Sequence, residues 1–392
     1  MSKLSEWGRR FWFKVELAAP SIIQRTVVPR LYEAKDMLTL LFKPYLTIWQ
    51  WQGQSEQGSL VVNYAGSGQA KAFLKDLFFK ENPIEKKQGE IPIWHLSKLS
   101  ELSTGDITIV EANARLIKRL SSPNAVVLPV FLSMVLNTKG DWQQVKDSLR
   151  KSVRSELRLT RKYGYELEVS KSVQDFETFY HKMYLPTMET RHADQAAPTS
   201  RDEAFQYFKH GLLFFVVRDG QRVAGSICYI EQDIVHLILM GVVGGDQQLM
   251  REGVVGALNY LRIQWVYENN YRGIDFGWYR PFMTNLFRNK RKWGATAVIP
   301  DNSNRQFWLK FHHNTPAVTH FMTNNVCIII KDGQLCGLLT IDGDDTASLE
   351  KEDLWYKQTE TPGLKGLFIR SVEDFFKPTD GTDIAQTKLI VF

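Results

Sequence analysis

Side chains able to move protons or hold charge gather between positions 189 and 292. Asp275 stands at the exit of a short apolar run, where a carboxylate either orients or deprotonates a bound nucleophile, or caps the following turn. Tyr279 suits proton donation to a leaving group and equally suits packing. His192 carries an imidazole, a group whose unperturbed pKa of about 6.5 suits a proton shuttle, although a lone loop histidine is usually structural. Glu189 is a reserve base.

Other patterns fail on spacing. Asp275-Phe276-Gly277 matches the magnesium-binding triplet of kinases, but no glycine-rich loop or catalytic-loop partner accompanies it. Gly66-Ser67-Gly68 lacks phosphate-loop spacing. His312, His313 and His320 have no carboxylate or thiolate at ligand spacing, so no metal is expected. Cys228, Cys327 and Cys336 fit no zinc or redox motif, and an odd count argues against a disulfide scaffold. A reducing cytoplasm suits them.

The elements that must position these groups are clearest in the middle of the chain. A long helix is expected from Asp141 to about Lys162, stopped by Gly164, with Val145, Leu149, Val153 and Leu157 as its apolar stripe. Beside that stripe run Lys146, Arg150, Arg154, Arg158 and Lys162, a solvated basic face or an anion-binding one. Leu167–Val169 reads as a strand. Ser172 caps a helix whose end Pro186 follows, and Ser200-x-x-Glu203 is a capping box for another. Leu212–Val217 and Arg222–Ile230 form a hairpin around Asp219–Gly220, and Ile234–Val243 continues the meander. A helix from Leu249 to Glu268, a strand at Ile274–Phe276, a helix at Met283–Arg291 and a strand at Ala295–Ile299 follow. Asn302–Phe311 is expected to be helical, and Val326–Ile330 with Leu335–Ile341 a hairpin. The first 135 residues read as helices up to position 45, then as a weakly signalled mixed α/β segment.

The chain has 392 residues, 44% apolar and 23% charged, which excludes wholesale disorder and allows two or three cored domains. Its net charge of +6 draws anions: phosphorylated cofactors, tRNA, anionic lipid headgroups or sugar nucleotides. DNA is not an expected partner. No apolar run reaches the roughly 18–20 residues of a membrane span. Trp7–Pro20 is either a basic amphipathic segment for peripheral membrane contact or a helix docking on the protein itself.

Four stretches, in this order, resemble the GNAT superfamily, and within it the Fem-type (FemAB-like) transferases. They are Asp141–Gly164, Phe179–His192 (FYHKMYLPTMETRH), Phe214–Ser226 (FFVVRDGQRVAGS) and Gly273–Ala295 (GIDFGWYRPFMTNLFRNKRKWGA). The resemblance implies an α/β (α+β) fold of tandem GNAT-like domains. Each would have a mixed, mostly antiparallel twisted sheet flanked by helices. A degenerate domain would occupy 1–135, the acyltransferase domain 136–305, and a C-terminal extension 306–392. It implies a bacterial N-acyltransferase, cytoplasmic or peripheral at the inner membrane face. The acceptor would be an amine of a cell-envelope precursor, a polysaccharide or a metabolite. Acyl-CoA is the expected co-substrate, with aminoacyl-tRNA or a non-catalytic anion-binding scaffold as alternatives, and no cofactor is permanently bound.

Amide formation by direct attack needs a deprotonated amine, a stabilised oxyanion and a neutralised leaving group. Asp275, Tyr279 and Lys290 are the expected catalytic residues, Lys290 by its place in the family's basic closing stretch. Glu189, Arg191 and His192 would face the acceptor. The donor is expected at Gly244, Gly245, Arg251 and Gly253. This segment departs from the usual Arg/Gln-x-x-Gly-x-Gly/Ala spacing, in which backbone N–H groups cradle a pyrophosphate.

Overall fold

The computed structural model describes residues 44–376, apart from 69, 102–103, 121, 123, 193–197, 283–288, 301–302 and 343–360, together with Leu31, Ala34, Phe42 and 388–391. The amphipathic segment at Trp7–Pro20 and nearly all of the expected helix at Met283–Arg291 lie outside them. No helix among the described residues is long and apolar enough to cross a membrane.

The strands are β1 (Tyr45–Ser55), β2 (Gly58–Gly66), β3 (Ile84–Pro92), β4 (Ile107–Asn113), β5 (Ala125–Pro129), β6 (Leu132–Asn137), β7 (Glu166–Ser170), β8 (Gly211–Arg218) and β9 (Gln221–Glu231). They continue as β10 (Ile234–Val242), β11 (Gly273–Tyr279), β12 (Thr296–Val298), β13 (Arg305–Phe311), β14 (Cys327–Lys331), β15 (Gln334–Ile341), β16 (Gly366–Ser371) and β17 (Lys388–Val391). Three sheets result, in the orders β3-β1-β2-β4-β13-β5, β12-β6-β11-β10-β9-β8-β7 and β14-β15-β16-β17. Most neighbours are antiparallel, and helices flank the sheets, so the fold is the mixed α/β arrangement expected.

The chain forms two compact units. Among the described residues the first takes in Ser133–Gly277 and Asn289–Thr296, and the second takes in Leu31–Leu132, Trp278–Arg288 and Ala297–Phe392.

In the first unit the expected meander is present. Asp219 and Gly220 both have positive φ, 51° and 73°, which a tight hairpin with right-handed strand twist requires. Helices α1 (Trp142–Ser148), α2 (Val153–Lys162), α3 (Val173–Phe179), α4 (Leu185–His192), α5 (Arg201–Lys209), α6 (Gln247–Arg251) and α7 (Val254–Glu268) belong to this unit. Ser172 accepts from the Asp175 N–H and Ser200 from the Glu203 N–H, as the capping patterns predict. On one sheet face α3 and α5 bury Phe176, Phe179, Tyr180, Phe208, Leu213, Phe215 and Ile227 together. Each such fully buried side chain contributes about 1.5–3 kcal/mol. On the other face, Phe214 of β8 meets Trp265 of α7 edge-on, with ring centroids 5.0 Å apart.

Several expectations are corrected. Asp141–Lys162 is two helices, not one: Leu149 is extended, and the Arg150 N–H donates to the Lys292 carbonyl instead of continuing the helix. The run from Lys146 to Lys162 is therefore no continuous stripe, although Arg154, Arg158, Arg161 and Lys162 remain exposed on α2. The helix expected from Leu249 is divided into α6 and α7 at Gly253, which adopts φ 85°. Pro186 does not follow a helix end but lies inside α4. Between α3 and α4 a π-helical turn, Tyr180–Tyr184, lets the Leu185 N–H reach the Tyr180 carbonyl. That widened turn makes room for a proline ring, which an ordinary α-turn would exclude.

The second unit builds its larger sheet on β1–β5 and β13. Asn302–Phe311, expected to be helical, contains β13, which pairs antiparallel with both β4 and β5. Phe307, Leu309 and Phe311 are buried on one face and Trp308 on the other. A strand covered on both sides loses the alternation that would have marked it. The hairpin of β14 and β15 is as expected.

Candidate active site

In the first unit β10 and β11 run parallel, and α7 makes the crossover between them. Their pairing covers three positions: Ile234 with Gly273, Val235 with Ile274 and His236 with Asp275. Beyond that rung β10 carries a register shift between Leu237 and Leu239 in its ladder with β9, and β11 continues to Tyr279. His236 and Asp275 thus occupy the last paired position before the strands go separate ways.

Asp275 is 2% exposed and fully engaged. The Ser133 hydroxyl of β6 donates to its Oδ2 at 3.0 Å, and the Gly277 N–H donates to Oδ1 at 2.9 Å. His236 Nδ1 lies 3.1 Å from Oδ2. A buried carboxylate persists as an ion only when so supported. Asp275 fills the turn-capping role, since Oδ1 holds the N–H two residues on.

An Asp275 that accepts the Nδ1 proton fixes the imidazole tautomer and leaves Nε2 as a base. Nε2 lies 3.8 Å from the Glu231 carboxylate, too far for a hydrogen bond. Tyr229 covers the ring face, with centroids 4.6 Å apart and planes at 8°, and Tyr207 of α5 packs on Tyr229. The register explains the grouping: Tyr229 pairs with His236 across β9 and β10, and His236 with Asp275, so all three share one face.

Lys290 is placed elsewhere. Its Nζ lies 5.4 Å from the centroid of Phe276, whose side chain leaves β11 on the face opposite that of Asp275. The two are not brought together. Tyr279 closes β11, is 7% exposed, and belongs to the second unit.

The segment expected to hold the donor follows β10 directly. Gly244 is exposed, whereas Gly245 is buried with φ 65° and packs so closely that a Cβ would stand 2.4 Å from Thr190 Oγ1 and 2.7 Å from the Pro186 carbonyl oxygen. Gly253 lies against Leu159 of α2 in the same way. These two glycines serve close packing. Asp246 caps α6, accepting from the Gln248 and Leu249 N–H groups at 2.6 and 3.1 Å. A carboxylate therefore already sits where a phosphate would seek helix N–H donors. Arg251 is exposed at the end of α6.

Glu189 is exposed near the end of α4, and Arg191 and His192 are helical residues of α4 rather than loop residues. Thr187 fastens α4 to β10, donating to the Val242 carbonyl at 3.2 Å and accepting from its N–H at 2.8 Å.

Sequence reasoning missed His236, Ser133, Tyr229 and Glu231. The one local signal was a histidine within the apolar run of β10; its partner is 39 residues away, across a register no local pattern specifies.

Residues 147–308 match the family model described as an acetyltransferase (GNAT) domain. A search of curated proteins returns no match. Among solved structures, FemX is similar at 11% identity and a TM-score of 0.40, over 78% of this chain and 96% of that one. The C-terminal domain of a putative lysylphosphatidylglycerol synthetase from Agrobacterium fabrum is similar at 11% identity and a TM-score of 0.34, over 68% and 85% of the two chains. L-PGS from Bacillus licheniformis gives 11% identity and a TM-score of 0.34, over 69% and 86%.

Proposed function

We propose, from the match of residues 147–308 to the acetyltransferase (GNAT) domain model, that this protein is an N-acyltransferase with His236 as its general base. The acceptor amine gives a proton to His236 Nε2, and its nitrogen attacks the donor's activated carbonyl. The tetrahedral intermediate then expels the leaving group, breaking the thioester or ester bond as the amide forms. Asp275 positions the imidazole. The observation that carries this reading is the His236–Asp275 pair at the last rung between β10 and β11.

The donor we propose is acyl-CoA, with Arg251 and Lys290 supplying charge for its phosphates. The acceptor is an amine on a cell-envelope precursor, polysaccharide or metabolite. One observation favours a second reading, an aminoacyl-tRNA donor. Asp246 already occupies the N–H groups of α6, while Arg154, Arg158, Arg161 and Lys162 expose a basic face on α2. Such a face suits a polyanion.

Thermal-shift screening with acetyl-CoA, longer acyl-CoAs and tRNA separates the readings, because a bound ligand raises apparent stability with saturation. Stabilisation by an acyl-CoA with little salt dependence supports the first, and tRNA stabilisation that fades steeply with salt supports the second. Stabilisation by neither, together with full retention of any transferase activity in His236→Gln, overturns the assignment.

A further inference from the structure

Among the described residues of the second unit, one buried carboxylate stands near two guanidinium groups and pairs with one of them. Glu111 of β4 is fully buried, and both of its carboxylate oxygens are taken. Oε1 pairs with Arg305 at 3.1 Å and accepts from the Ser67 hydroxyl at 3.3 Å, while Oε2 accepts from the Tyr64 hydroxyl. Tyr64 in turn accepts from the Gly68 N–H at 3.0 Å. One carboxylate is therefore matched by one guanidinium, Arg305.

Arg280 is a second guanidinium in the same field. Its Nη1 donates to the Val130 carbonyl at 3.3 Å, and no carboxylate pairs with it among the described residues. Its Cζ lies 4.0 Å from the Phe131 centroid and 4.8 Å from that of Phe73. Burial pulls its pKa down from the ordinary arginine value, and the Glu111 charge pulls it partly back. A guanidinium packed over two rings loses less freedom on binding than a solvated one, and its N–H fork can receive a carboxylate or phosphate in two parallel hydrogen bonds. Next to it stands Trp278, 54% exposed, its ring centroid 5.4 Å from that of Phe131. An exposed indole beside a preorganised guanidinium offers a stacking face to whatever carries the anion.

We infer that Arg280 and Trp278 form a binding site for a small anion, carboxylate or phosphate, joined to a flat ring. Arg280, packed over Phe131 and Phe73, holds the anionic group, and Trp278 stacks on the ring. The inference is independent of the acyl-transfer reading, because its readout is binding alone.

Calorimetric titration of the full chain with phenyl phosphate, benzoate and inorganic phosphate tests it. Phenyl phosphate or benzoate should bind saturably, and phenyl phosphate more tightly than inorganic phosphate. Arg280→Met should abolish this binding, and Arg280→Lys, which keeps charge and loses the fork, should weaken it by about tenfold or more. Trp278→Ala, a change at an exposed position, should erase the advantage of phenyl phosphate over inorganic phosphate. Binding of phenyl phosphate alone identifies a phosphate ligand, and binding of both ring compounds a less selective anion site. The inference is overturned if neither ring compound binds at millimolar concentration. Unchanged affinity in Arg280→Lys and Trp278→Ala overturns it as well, whether or not Arg280→Met folds.

Discussion

His236 Nδ1 and Asp275 Oδ2 lie 3.1 Å apart across the final rung of a three-residue parallel ladder. The ladder's two strands are joined by α7, so this contact depends on how that helix returns the chain to the sheet.

His236→Gln should lower kcat by about 10²- to 10⁴-fold, the usual worth of a general base. The check is release of free thiol from whichever acyl-CoA stabilises the protein. Asp275→Asn should lower kcat, with KM for the donor little altered. Equal losses of kcat/KM through KM alone would assign the pair to binding instead. Lys290→Met, on the opposite face of β11, should raise the donor KM several-fold and leave kcat nearly unchanged.

Gly245→Ala and Gly244→Ala should part company. Both positions have positive φ, 65° and 58°, so each pays backbone strain of about 1 kcal/mol. At 245 the new methyl also meets Thr190 and the Pro186 carbonyl, adding about 1–3 kcal/mol, whereas nothing lies within 4 Å at 244. Urea unfolding midpoints of the two variants give the comparison.

Arg262 of α7 is 2% exposed and holds the Leu258 carbonyl, Ser226 Oγ and Asn259 Oδ1 at 3.0, 2.6 and 2.6 Å. Arg262→Ala should destabilise by about 2–4 kcal/mol, since it leaves a cavity and unpaired buried oxygens. Arg262→Met, which fills the volume and removes the buried charge, should cost less than half as much. The same denaturation experiment measures both.

His312 supplies a pH dependence. Burial first, and then the charges of Lys310 and His313, push its pKa down from 6.5 to about 4. As pH falls below 6.5 the unfolded chain takes up a proton that the folded one refuses until about pH 4. This contribution to stability is therefore complete above pH 6.5 and is lost on the way down to pH 4. The loss should be on the order of 1–2 kcal/mol after discounting for partial exposure. His312→Gln should flatten that part of the stability profile.

Local chemistry made much of the first unit readable before any coordinates. Asp219–Gly220 selects a hairpin whatever surrounds it, Ser172 and Ser200 mark helix starts, and the β-β-β-α-β order follows from them. Gly253 and Pro186 were read less well, because each has two local solutions. Gly253 can sit in a helix or break it, and here packing against Leu159 chose the break. Pro186 can end a helix or be carried by a wide turn, and the fit of Tyr180–Tyr184 against β10 accompanies the second choice.

The amino-acid order alone determined the hairpins and caps of the first unit, and marked Asp275 as a carboxylate worth watching. Tertiary structure alone decided that β13 is a strand, that Lys290 and Asp275 occupy opposite faces, and that His236 is the partner of Asp275. Turns and caps are settled by atoms a few bonds apart, so a short stretch of residues contains their cause. Strand register and side-chain facing are settled by pairing between distant segments, and that pairing exists only once the sheet has formed.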